Sequence, residues 1–432
     1  MEIKEEKQKM RKRNMKLFPI YKMISWDFLF FYTIDFLFLT QIKNIEAADV
    51  VLKNTFYAFF GILLQIPANI IVEYLGRKNS LILGNVLNSI YLLILMLSRN
   101  LYDLIFAELF SATAFAIKNI VETSILTESI PPSKYKSKIF SNINSKGASR
   151  YYILSTISKI IAGGLFQING YLPIICSLIV VIISVLMSLC FIEPIRKNQK
   201  KDISNNEFKD IKKGIEFILK SDRLKALILA YSLISALISI LTSYNVSLLE
   251  DIGVSSVIIG IISAMMSLMS SFASKKEIKF HNRFKNKSII TIALILSINC
   301  IICGICGIGA KTSYILFGTI IVGFLGYGFS EGMYYTIRDK YLGNFSNKKI
   351  DTKIFAVNQL FSNISKVIAG IIASVLLDRM KTAYCMIVIG IIFTILYILA
   401  GKYMKTRVGL KPEEYSKEER KYDELKEPEM SQ

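Results

Sequence analysis

Histidine and cysteine are too scarce in this chain to furnish a metal centre: 432 residues include one His and six Cys. Cys300, Cys303 and Cys306 form a CxxCxxC run, but an iron–sulfur cluster takes four thiolates and no fourth Cys or His stands nearby. The run falls inside an apolar stretch, so small residues at a helix contact account for it. His281 lies in a basic stretch and reads as a solvated side chain. No GxxxxGK[ST] run is present, which argues against ATP as a driving force. Residues 1–16 are too charged for a secretory signal. No cofactor and no metal is called for, and a membrane enzyme such as a lipid transferase would lack its catalytic His or metal ligands.

What the chain does have is apolar length. Hydrophobic residues make up 53% of it and the mean hydropathy is +0.45. Twelve apolar stretches of spanning length, about 20 residues each, run through it and leave no room for a large soluble domain. Of the 53 Lys and Arg, 44 fall in alternate gaps and the termini. The opposite gaps hold Lys43, Lys53, Arg99, Lys311, Arg379 and Lys381, and Lys118, Lys159 and Lys366 sit inside apolar stretches. Positive loops stay in the cytoplasm, so the pattern predicts an even number of crossings of a cell membrane, with both termini cytoplasmic. The net charge of +20 is spread over all these inner segments. Anionic lipid accounts for that spread, and no nucleic-acid partner is expected.

The predicted spans are 22–42, 51–74, 80–98, 101–127, 148–168 and 171–192, then 224–248, 254–274, 287–308, 312–338, 353–377 and 382–404. Residues 1–21 form a cytoplasmic N-terminal segment, 22–192 one six-helix bundle and 224–404 a second. Between them, 193–223 opens with Glu193-Pro194, which stops the sixth span, and carries Phe208, Ile211, Ile215 and Ile218 at helical spacing, as an amphipathic helix on the membrane surface would. Residues 405–432 form a charged cytoplasmic tail. An internal repeat supports two halves: Ile157-Ser-Lys-Ile-Ile-Ala-Gly163 in span 5 recurs as Ile364-Ser-Lys-Val-Ile-Ala-Gly370 in span 11. The fold class is therefore all-α, a polytopic membrane protein of twelve helices in two pseudo-symmetric bundles.

Between spans 2 and 3 runs Asn69-Ile-Ile-Val-Glu73-Tyr-Leu-Gly76-Arg77-Lys78-Asn-Ser-Leu81. This resembles the G-x-L-a-D-r-x-G-r-k-x-x-l signature of the major facilitator superfamily, with Glu73 in place of the acid and Asn69 in place of the first glycine. The preceding Leu64-Gln-Ile-Pro67 is similar to a run in its drug-exporter-like bacterial members. The resemblance implies a secondary active transporter in which two bundles rock about a central site, with Glu73, Gly76, Arg77 and Lys78 as a cytoplasmic gating latch. It also implies a cavity lined by spans 1, 4, 7 and 10. Export of a small hydrophobic or cationic compound in exchange for protons is the favoured expectation. Proton-coupled import of a small metabolite, or a non-transporting sensor on the same scaffold, are the alternatives. A monomer is expected.

Charges inside the membrane are the best pointers to chemistry, because each costs at least about 2.5–3.5 kcal/mol to insert. Asp27 and Asp35 lie in span 1, Glu108, Lys118 and Glu122 in span 4, Lys159 in span 5, Glu331 in span 10 and Lys366 in span 11. A carboxylate in apolar surroundings holds its proton more readily, so Asp35, Asp27, Glu108, Glu122 and Glu331 are candidates for proton coupling. The competing reading pairs them structurally, Asp35 with Lys159 or Lys118 with Glu122 one turn apart. Lys118, Lys159 and Lys366 serve either as counter-ions for these acids or as a site for an anionic substrate. Ser232, Ser235, Ser239, Thr242 and Ser243 share a face of span 7, as a polar cavity stripe or as hydroxyls bonded to their own helix.

Overall fold

The structure is a computed structural model that describes residues 2–131, 136–193, 215–216, 218, 221–284, 287–345 and 351–405. The tail after 405 and nearly all of the 193–223 connection lie outside these residues. All regular structure among the described residues is helical, as lipid requires of backbone that must satisfy its own hydrogen bonds. The first stretch comprises α1 (Glu2–Ser25), α2 (Asp35–Leu37), a π-turn (Phe38–Ile42), α3 (Ala47–Leu63), α4 (Gln65–Leu75), α5 (Arg77–Leu97), α6 (Leu101–Ser129), α7 (Lys136–Ile168) and α8 (Leu172–Leu189). The second comprises α9 (Asp222–Ile252), α10 (Ser256–Phe284), α11 (Ser288–Gly309), α12 (Tyr314–Phe345), α13 (Asp351–Arg379) and α14 (Thr382–Lys405).

Local chemistry sets these boundaries. The Asn100 side chain accepts the Asp103 N–H at 3.0 Å to start α6, and Ser221 accepts the Leu224 N–H at 3.3 Å to start α9, each satisfying an orphan donor. Gly253, at φ +87°, closes α9 in the left-handed conformation that glycine adopts without strain.

Ten helices are long and apolar enough to cross a membrane among the described residues, or eleven when α3 and α4 count as one crossing bent by 58°. The bend follows from Pro67, which has no N–H to bond the carbonyl of Leu63. The first expected span differs more. It is not one helix over 22–42: α1 ends at Ser25, residues 26–34 are irregular, and a short α-turn and a π-turn follow. The carboxylate of Asp27 accepts the N–H of Phe28 at 2.8 Å, Leu29 N–H bonds the Asp27 carbonyl, and Phe30 sits at φ +70°. A side chain that competes for backbone donors breaks a helix in this way. The break is tolerated because it is packed in protein: Phe28 lies 5.0 Å from Tyr91 and 5.6 Å from Phe115 between ring centres, and Trp26 lies 4.9 Å from Tyr151.

The chain divides into two compact units. The first holds 1–46, 56–204 and 255–264, the second 47–55, 205–254 and 265–432, so α3 and α10 each contribute turns to both. In the first unit α5 packs on α6 and α8, and α1 on α7. Its core gathers Phe18, Tyr21, Val72, Leu81, Ile117, Val121 and Phe191. In the second, α9 packs on α13 and α14, and α11 on α12 and α14.

The repeat identified in the sequence ends at equivalent contacts. In the first unit, a Cβ on Gly163 would stand 2.4 Å from the Ser256 carbonyl oxygen, and the Ser256 hydroxyl donates to the Gly163 carbonyl at 3.0 Å. In the second, a Cβ on Gly370 would stand 2.1 Å from the Thr55 hydroxyl, and the Ser374 hydroxyl donates to the Ala48 carbonyl at 2.9 Å. Small residues let membrane helices approach this closely.

Two further sequence readings can be checked here. His281 is not solvated. α10 runs on to Phe284, which leaves His281 1% exposed, with Nδ1 3.2 Å from the Ser288 hydroxyl and its ring edge-on to Tyr341. Cys300, Cys303 and Cys306 are buried free thiols. Cys300 Sγ donates to the Met386 carbonyl at 3.1 Å, a helix contact as expected.

Candidate functional site

The glycine of the signature turn has a structural cause. Gly76, at φ +82° and ψ 171°, both ends α4 and begins α5, a conformation that side chains disfavour. The Arg77 guanidinium reaches Glu73 at 3.0 Å and Glu128, at the end of α6, at 3.3 Å. The Glu193 carboxylate accepts the backbone N–H groups of Arg77 at 2.7 Å and Lys78 at 2.6 Å. An anion at a helix N-terminus satisfies orphan donors and opposes the helix dipole. The motif therefore ties the ends of α4, α6 and α8 to the start of α5, all within the first unit. Glu128 and Glu193 were not anticipated as partners: Glu193 read only as part of a helix stop.

The first unit also assembles most of the membrane charges, around the break after α1. The Lys118 ammonium donates to the carbonyl of Ser25, the last residue of α1, and lies 5.2 Å from the Phe115 ring centre. A cation at a helix C-terminus meets carbonyls that lack partners, which is a structural reason for a lysine only 3% exposed. Asp27, one residue beyond the break, accepts from Tyr151 Oη on α7 at 3.2 Å, and both Lys159 and Lys118 act on it electrostatically. Glu122 interacts with Lys118, one turn back on α6, and with Lys22. Lys22 in turn donates to Asn144 at 2.6 Å and sits 4.3 Å over the Trp26 ring. Glu108, 3% exposed, accepts from Tyr91 Oη at 3.3 Å, and Asp35, the first residue of α2, also acts on Tyr91. Tyr151 was missed because tyrosines in an apolar stretch carry no distinguishing pattern.

The second unit is different in kind. Lys366 on α13 matches Lys159 in the repeat, yet the charged group acting on it among the described residues is a cation, Arg338 on α12. Arg338 binds its neighbour Asp339 through Nε at 2.8 Å and Nη2 at 2.7 Å, and lies 5.5 and 5.0 Å from the rings of Tyr334 and Tyr335. Glu331 is half-buried on the same helix. In the stripe of α9, Ser235 bonds Tyr334, and Thr242, half-buried, bonds its own helix at Ile238 and lies 3.5 Å from Tyr327 Oη. Ser243 accepts from Asn54 at 3.0 Å. Ser232 is 4% exposed with no partner for its hydroxyl among the described residues, and Ser239 is half-buried. Arg338 was missed because it stands at the end of span 10, where it counts as a loop charge.

The fold and the motif define a multi-pass helical membrane protein, a transporter rather than an enzyme. The description "Major Facilitator Superfamily" matches residues 23–344, and the chain belongs to that family. Among solved structures it is similar to the nucleoside transporter NupG, with a TM-score of 0.67, 12% identity, and coverage of 92% of this chain and 99% of that one. It is also similar to a POT family transporter in complex with 5-aminolevulinic acid, at 0.67, 13%, 93% and 96%. A D-xylose–proton symporter gives 0.65, 12%, 94% and 98%. At these identities the likeness carries the fold alone. No curated protein matches the sequence.

Proposed function

We propose that the chain is a secondary active transporter that moves a small solute by alternating access, coupled to protons through Asp27. It would act as a monomer in the lipid bilayer of the cell membrane, with both termini cytoplasmic as the charge pattern demands. The observation that carries the reading is the placement of Asp27: a carboxylate at the break in the first span, held by the Phe28 N–H and Tyr151 Oη, with Lys118 and Lys159 as its cationic neighbours.

The coupling follows from charge. Ionised, Asp27 attracts Lys118, which holds the end of α1, and Lys159 on α7. Protonated, it loses that attraction, and the joint between α1, α6 and α7 loosens. A proton that binds one conformation better than the other shifts the balance between them by its differential affinity. Glu122 and Glu108 are engaged by Lys118 and Tyr91 and act as structural partners in this reading. Arg77, tied to Glu73 and Glu128, would serve the gate. Export by exchange and import by symport use the same carboxylate in opposite order, and accumulation or depletion under a pH gradient tells them apart.

The test is uptake into proteoliposomes under an imposed pH gradient, screened over nucleosides, sugars, dipeptides, carboxylates and lipophilic cations. At least one solute should be driven by the gradient, and Asp27→Asn should lose that drive while keeping exchange of solute for solute. If Asp27→Asn leaves gradient-driven movement intact, the role of Asp27 is wrong. If no solute responds to the gradient, proton coupling is wrong.

A further inference from the structure

In the first unit, a recess of about 560 Å³ is lined by Lys12, Arg13, Lys16, Leu17 and Ile20 of α1 and by Cys190, just past the end of α8. The opposite face of α1 fixes its walls. Asn14 donates to the Ile192 carbonyl at 2.8 Å and accepts the Ile192 N–H at 3.0 Å, and Tyr21 meets Phe191 edge-on at 5.4 Å between ring centres. Asn14, Phe18 and Tyr21 are buried at helical spacing, which leaves Lys12, Arg13, Lys16 and Ile20 on the exposed face. Among the described residues the three cations form no ion pair or hydrogen bond. The acids at this end of the unit are engaged elsewhere: Glu193 caps the start of α5 and Glu128 binds Arg77. The recess lies where α1 passes from charged to apolar sequence and where the apolar run of α8 ends. That is the edge of the bilayer, on the side the charge pattern assigns to the cytoplasm.

We propose that this recess binds one anionic phospholipid, its phosphate between Lys12, Arg13 and Lys16 and its hydrocarbon along Leu17 and Ile20. The guanidinium offers paired donors matched to phosphate oxygens, and the two ammonium groups add point charges. Basic pockets at the cytoplasmic ends of membrane helices suit such head groups, and the volume falls within the about 300–1,000 Å³ of small-molecule sites. A free phosphate would answer the cations and leave Leu17 and Ile20 bare. A zwitterionic lipid would bring a further cation to a recess that already holds three. The inference makes no use of Asp27 and is independent of the proton-coupling reading.

Cys190 reports on the recess directly, because it is exposed and lines it. The test is maleimide labelling of the purified full-length protein in a neutral detergent, read by mass spectrometry of the peptide that contains Cys190. Phosphatidylglycerol should protect Cys190 in a saturable way, with labelling slowed about tenfold at about ten times the half-protecting level. Phosphatidylcholine and glycerol 3-phosphate should not protect it. Each cation contributes about fivefold to lipid binding, so Lys16→Gln should need about fivefold more phosphatidylglycerol. The triple change Lys12→Gln, Arg13→Gln and Lys16→Gln should need about a hundredfold more, at an unchanged unfolding midpoint. Removing the same charge from exposed positions of α10, by Lys275→Gln, Lys276→Gln and Lys279→Gln, should leave the lipid requirement as in the parent. The proposal is overturned if phosphatidylglycerol gives no protection, or if phosphatidylcholine protects equally. Equal loss in the two triple variants would also overturn it, as diffuse attraction to a basic surface, and protection by glycerol 3-phosphate would reduce it to an ion site. Should the first triple variant unfold early, Lys16→Gln decides: an unchanged lipid requirement there would refute the site.

Discussion

Replacing Gly163 with alanine places a methyl carbon 2.4 Å from the Ser256 carbonyl oxygen and 2.9 Å from the Val257 Cα. Both obstacles are backbone, so no side chain can swing aside. Ordinary contact begins at 3.4 Å, and the first turn of α10 must withdraw from α7 by about 1 Å. The hydrogen bond from Ser256 Oγ to the Gly163 carbonyl, now 3.0 Å, is stretched beyond use. Overpacking of this kind costs about 1–3 kcal/mol, and the lost bond adds about 1 kcal/mol. The higher helix propensity of alanine returns about 1 kcal/mol. The net expectation is a loss of roughly 1–3 kcal/mol. The neighbouring Gly164 has nothing within 4 Å of its would-be Cβ, so Gly164→Ala receives the propensity gain alone. Thermal unfolding of the two variants in one detergent should therefore shift the midpoint in opposite directions, down for Gly163→Ala and level or up for Gly164→Ala. Shifts of the same sign and size would refute the argument that the repeat glycine is a contact position.

Other consequences can be measured separately. Asp27→Asn should cut gradient-driven solute accumulation at least tenfold while leaving the folded fraction near that of the parent. A variant that unfolds instead would assign Asp27 to holding the break in the first span. Glu193→Ala removes the acceptor for the N–H groups of Arg77 and Lys78 and should cost about 0.5–2 kcal/mol. Hydrogen exchange at residues 77–80 would speed up accordingly, and unchanged exchange there would count against the cap. In the native, detergent-solubilised protein, a maleimide should label exposed Cys190 and spare buried Cys300 and Cys303. Labelling of Cys300 before unfolding would show that the α11–α14 contact is wrong.

Spans 2 to 12 were legible in the sequence because a helix in lipid needs only sustained apolar length, and alternate connections are marked by positive charge. Span 1 was not, although apolar residues predominate in it. Its course is decided by one carboxylate bonding the next backbone N–H, an event with no periodicity to detect. Pro67 gave a visible cause for the bend between α3 and α4, but not its angle. The site was legible as residues and not as partners. Asp27, Lys118, Lys159 and Lys366 could all be listed from their depth in apolar stretches. Whether a buried lysine meets an acid or another cation depends on which helix lies beside it, and sequence separation is silent on that. Lys159 and Lys366, identical in their repeat, make the point most clearly. Glu193 was visible as a helix stop, while its role at the start of α5 depends on contacts between residues over a hundred positions apart.

The most direct test of proton-coupled transport records internal pH and solute content together, in liposomes carrying the parent protein or Asp27→Asn. The account predicts that adding the transported solute moves protons and solute in a fixed ratio through the parent, and that Asp27→Asn breaks the proton movement. Solute crossing the parent with internal pH unchanged would contradict it.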